Sequence, residues 1–77
     1  MDIKDIGENL RKLRRINRLS QQELADKVGI SRLAYSQIER GEVEAKVSTL
    51  TNLAKVLDVK LQDLFIKPRR LTRVRWN

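Results

Sequence analysis

The sequence predicts an all-α fold: a compact bundle of about five short helices arranged around a central pair joined by a tight turn. Three observations lead there. Apolar residues recur at helical spacing along most of the chain. Two segments, 21–28 and 32–40, each start behind a serine with the signals of a helix cap. Between them stands Gly29, where a chain leaving a helix commonly needs a positive φ that glycine adopts at little cost.

In chain order, residues 5–18 read as the first helix. Asp5 and Glu8 form a cap pair, Ile6, Leu10 and Leu13 make an apolar stripe, and Arg11, Lys12, Arg15 and Arg18 occupy the other side. The helix of residues 21–28 follows. Ser20 with Glu23 three residues on is a capping box, and Leu19 and Leu24 bracket it as a hydrophobic staple. Leu24, Ala25 and Val28 share one face. Past Gly29 the device is partly repeated: Ser31 caps the helix of residues 32–40, with Ile30 and Tyr35 on either side of the cap. Ala34, Tyr35 and Ile38 point inward together. So short a connection cannot lay two helices antiparallel side by side. They must cross at a large angle, as in a helix-turn-helix unit, and the small Ala25 lets them come close.

Residues 41–47, GEVEAKV, read as a loop opened by Gly41. Residues 47–57 form the next helix, with Val47, Leu50, Leu53, Ala54 and Leu57 inward and Ser48 as the available cap. Asp58-Val59 is a connector, and residues 60–65 make a last short helix whose Leu61, Leu64 and Phe65 close the core. Pro68 ends helical structure. In the following RRLTRVRWN, Thr72, Val74 and Trp76 alternate with Arg73 and Arg75. Three readings are open: a basic tail adding phosphate affinity, a strand pairing with its copy in a dimer, or the start of a longer protein. Val74 and Trp76 favour some order, since apolar residues are wasteful in a pure tail. The domain is therefore residues 1–66, and residues 67–77 are a basic extension, possible as a strand.

Once the inward positions of the 32–40 helix are subtracted, Arg32, Leu33, Ser36, Gln37 and Arg40 remain along one face. A solvated helix face is the bland reading. However, arginine suits guanine, glutamine suits adenine, and a leucine can touch a thymine methyl, so the same face carries the groups that read base edges in a major groove.

The 20–41 segment resembles the helix-turn-helix of phage-repressor and Cro-type (xenobiotic-response-element) DNA-binding domains. That pattern has Gln21 at the start of the first helix, Ala25 four residues later, Gly29 at the turn, then Tyr35 with Ile38 before Glu39-Arg40-Gly41. The likeness covers about residues 5–65. It implies that Arg32, Leu33, Ser36 and Gln37 read bases, and that Gln21, Ser31, Arg40 and Lys46 contact phosphates. It also implies that Arg14 pairs with Glu39 beside the recognition helix, and that the last short helix, with Phe65 or Ile66, helps form a dimer. Where the family often carries Pro-Ser, this chain has Ala45-Lys46, which removes a rigid turn residue and a cap.

Composition narrows the functions. Seventy-seven residues allow one small core. With no cysteine or histidine, disulfides, thiolate metal sites and the commonest metal ligand and general base are excluded, and no constellation for catalysis appears, so no enzyme and no cofactor is expected. No apolar run approaches membrane-spanning length, and a cytoplasmic, nucleoid-associated place is the default. Of the net charge of +7, five units lie in residues 67–77, so the body is near +2. A basic balance favours a polyanionic partner. The function expected from these residues is a sequence-specific regulator of transcription, of repressor type. It would bind double-stranded DNA as a homodimer on a palindromic operator whose half-sites lie about 34 Å apart. The alternative is an antitoxin that also binds DNA, with residues 66–77 contacting a partner protein.

Overall fold

The structure is a computed structural model that describes residues 2–67. Four α-helices follow one another: α1 (Ile3–Ile16), α2 (Gln21–Val28), α3 (Arg32–Glu39) and α4 (Val47–Val56); a 3-10 helix, Leu61–Phe65, closes the described chain. No strand occurs among the described residues. The fold class is all-α, and the expected fifth helix is the 3-10 turn. The strand-like reading of the extension concerns residues 68–77, outside the described residues.

The core is the set of inward stripes. Leu10, Leu13, Leu24, Ala25, Tyr35, Leu53 and Leu64 are wholly buried, with Ile6, Ile38, Leu50, Ala54 and Leu57 nearly so. α3 packs on α1 and α2, α2 on α4, and the 3-10 helix closes over α1 and α4. Asn9 is the buried polar group of that closure: its amide donates to the carbonyls of Leu64 (2.8 Å) and Ile66 (2.7 Å).

Each helix start tests a cap. The Ser20 box is complete: the Glu23 amide donates to Ser20 Oγ at 3.0 Å and the Ser20 amide to the Glu23 carboxylate at 2.8 Å. The Ser20 amide thereby holds the Glu23 carboxyl below the usual carboxylate range. Ser31 Oγ accepts from the Ala34 amide at 3.0 Å. Two starts differ from expectation. α1 begins at Ile3, capped by Asp2, whose carboxylate accepts from the Lys4 amide at 2.9 Å, and Asp5 lies in the first turn instead. The earlier start adds a turn that sets Ile3 above Ile6 on the apolar side. α4 begins at Val47 behind Lys46, with no side-chain cap, so Ser48 is already inside the helix. Val47, expected inward, is 66% exposed, because at the first helical position it precedes the turn where the Leu50–Leu53–Leu57 stripe meets the core.

All four α-helices end alike. The second residue beyond the last helical one adopts positive φ at Arg18 (57°) and Asp58 (59°), and so do Gly29 (76°) directly after α2 and Gly41 (71°). In each case the next amide reaches back five residues, as in Leu19 to Arg14 (3.0 Å), Ile30 to Ala25 (3.0 Å), Glu42 to Gln37 (2.9 Å) and Val59 to Ala54 (3.0 Å). These are Schellman closures, which satisfy carbonyls left open at a helix end.

Candidate nucleic-acid interface

α3 is held from behind and free in front. Tyr35, Ile38 and Glu39 are buried against α1 and α2. On the opposite side Arg32 is exposed, Leu33 is 65% exposed, and Ser36 and Gln37 are half-buried. Arg40, just past the helix, is exposed and its guanidinium meets the Glu42 carboxylate at 3.2 Å. Ser31 and Lys46 are exposed, at the starts of α3 and α4. Ser31 is committed as a cap; Lys46 makes no side-chain cap bond. α2 packs on α3, so the two helices form one structural unit that carries Gln21, Ser31 and the front of α3.

Behind that unit lies a charged hub. Arg14 forks onto Glu39, with Nε 2.9 Å from Oε2 and Nη2 3.0 Å from Oε1, while its Nη1 donates to the Leu19 carbonyl at 2.8 Å. The side chain of Glu39 is 2% exposed and that of Arg14 12%. Two further groups converge on the same Glu39 Oε1: the Gln21 amide at 3.1 Å and Arg11 Nε at 3.5 Å. Burial disfavours the Glu39 charge, but the hydrogen bonds from Arg14 and Gln21, with the Arg14 charge and the adjacent Tyr35, outweigh it and hold the carboxyl down at about 2. The Glu39 hydrogen bond in turn raises the Arg14 guanidinium. Burial, reinforced by the nearby Glu39 charge, pushes the Tyr35 phenol up, and its hydroxyl, sealed from solvent, has no hydrogen-bond partner of regular geometry. The hub ties α1, the α1–α2 turn and the first residue of α2 to the last residue of α3.

Nothing in the sequence marks Gln21 or Arg11 as partners of Glu39, because these residues lie 18 and 28 positions away and meet only after α3 has crossed. Among the described residues no group of histidine, cysteine, aspartate or glutamate could hold a metal ion, and no helix is long and apolar enough to cross a membrane.

The helix-turn-helix family model matches residues 10–64, which contain the whole of this unit. The chain belongs to the helix-turn-helix family. Members like it are DNA-binding transcriptional regulators. This helix-turn-helix chain is 47% identical, over 58 residues and 75% of its length, to the HTH-type transcriptional regulator YqaE of Bacillus subtilis, of which the match spans half. It is 43% identical over 95% of its length to the control protein C.SmaI of Serratia marcescens, covering 81% of that protein. Among solved structures, the restriction-modification controller protein C.AhdI of Aeromonas hydrophila superposes with a TM-score of 0.80. The identity is 34%, over 83% of this chain and 97% of that one.

Proposed function

We propose that this helix-turn-helix protein is a sequence-specific repressor that binds a palindromic operator as a homodimer, with α3 in the major groove. The observation that carries the reading is the front of α3: Arg32 and Leu33 stand in solvent while the back of the same helix is buried on two others. Leu33, 65% exposed between Arg32 and Ser36, supports the reading as the apolar group that such a face can offer to a thymine methyl. Arg32, Leu33, Ser36 and Gln37 read base edges, and Ser31, Arg40 and Lys46 grip phosphates. Gln21 joins them with the amide hydrogen that Glu39 leaves unused. Residues 1–66 form the DNA-binding domain and residues 67–77 an accessory basic extension. The protein works in the cytoplasm, on the nucleoid.

Two lines support the dimer. One eight-residue helix contacts too few base pairs for an operator, so a second copy doubles the reading. An apolar hollow of about 180 Å3, bordered by Ile3, Ile38, Val43, Val47 and Phe65, also opens on the surface, and Val43 and Val47 are exposed beside it. Similarity to a control protein and to a restriction-modification controller supports a role as a controller of such genes.

Selection of binding sites from random duplexes tests this reading. The expected product is an inverted repeat with half-site centres about 34 Å apart. A failure to enrich any sequence would refute DNA reading, and a single unrepeated half-site would refute the dimer.

A further inference from the structure

Gly7, in the second turn of α1, lies against the backbone of the C-terminal end of α3. A Cβ built there would fall 2.7 Å from the Glu39 carbonyl carbon, 2.8 Å from the Ile38 carbonyl oxygen, and nearer still to the carbonyl oxygen of Glu39. These are main-chain atoms, so no rotamer change relieves the overlap. Gly7 has no positive φ, and its helix position would suit alanine better. The glycine is therefore explained by the approach of α3 and by nothing in its own conformation.

One turn earlier on α1, Lys4 receives Gly41. A Cβ on Gly41 would lie 2.7 Å from Lys4 Cγ and 2.8 Å from its Cα. Residues 4 and 7 share a face of α1. The stretch from Ile38 to Gly41 thus rests backbone-to-backbone on the first two turns of α1, and the Glu39 side chain is clamped from the next turns by Arg11 and Arg14.

We propose that Gly7 is a specificity-determining positioning residue: it lets α3 seat directly on α1, and that seat sets the angle at which Arg32, Ser36 and Gln37 meet the bases. This rests on the reading of α3 as the recognition helix. The helix is only about 12 Å long, so a shift of about 1 Å at its C-terminal end moves every reading group on it. Hydrogen bonds to base edges tolerate a few tenths of an ångström. Contacts from flexible lysine and arginine side chains to phosphates follow such a shift, and they carry no sequence information.

The test is Gly7→Ala, with affinity measured on the selected duplex and on random duplex at a temperature well below the melting midpoint. Specific affinity is expected to fall at least tenfold, while random-duplex affinity stays within about twofold. A wild-type ratio with a folded variant, or equal losses on both duplexes, would overturn the proposal. If Gly7→Ala has no cooperative melt, the comparison passes to Gly41→Ala, whose Cβ meets Lys4 Cγ and Cα at the same helix end, read against Gly29→Ala, which carries the same positive-φ strain with open space around its Cβ. The same split is expected there, and parallel losses would again overturn the seat. A wild-type protein that prefers no duplex would instead refute the DNA-reading function itself.

Discussion

Arg18 and Asp58 each hold a left-handed backbone that glycine provides at Gly29 and Gly41. A side chain in that conformation is strained, more so for arginine than for aspartate, which can hydrogen-bond locally. Arg18→Gly is expected to raise stability by roughly 0.5–1 kcal/mol, and Asp58→Gly by less, seen as higher urea midpoints at constant slope. Helix ends were legible where glycine stood in the sequence. The first helix was expected to reach residue 18 because nothing about an arginine announces a positive φ. Glu39 adds to the pH dependence to which the lowered Glu23 carboxyl also contributes. The folded Glu39 carboxyl lies at about 2, below its unfolded value, so its contribution is complete above about pH 5 and is lost as pH falls toward 2. That contribution is on the order of 3 kcal/mol. Glu39→Gln should be less stable at neutral pH and flatten this acid limb, as measured by urea unfolding at a series of pH values.

At the level of elements, α2 and α3 were readable almost to the residue. Both have a serine cap, and the glycines at 29 and 41 agree with the apolar spacing. The start of α4 was not, because Lys46 offers no cap oxygen and Ser48 offered a false one. The front of α3 was legible by subtraction, and the resemblance implied the Arg14–Glu39 pair at the centre of the hub behind it. The hub's other partners were not legible, since Gln21 and Arg11 reach Glu39 only through the crossing of helices. Within α3, roles can be separated. Gln37→Ala is expected to relax preference at one base position and cost about 1–3 kcal/mol. Arg40→Ala should weaken all duplexes alike and lower the salt-dependence slope by about 1. Fluorescence-anisotropy titrations on specific and random DNA across salt concentrations distinguish the two, and identical behaviour would reverse the assignment.

For the whole molecule, assembly is the property with most at stake. Val47 stands in solvent at the first position of α4, where a carboxylate complements the helix dipole. Val47→Glu should therefore leave the stability of the isolated subunit within about 0.5 kcal/mol while weakening dimerisation at least tenfold. Sedimentation equilibrium reads the outcome, and an unchanged association constant would place the contact between copies elsewhere. With the body near +2, the affinity of the proposed dimer for DNA should draw largely on placed contacts and on the basic residues 67–77 rather than on bulk attraction. The amide of Asn9 has a consequence for synthesis. It leaves the ribosome 55 and 57 residues ahead of the two oxygens it serves, those of Leu64 and Ile66. Until those arrive, the donor must keep its water, so the part of α1 around Asn9 cannot become dry before the 3-10 helix has been made.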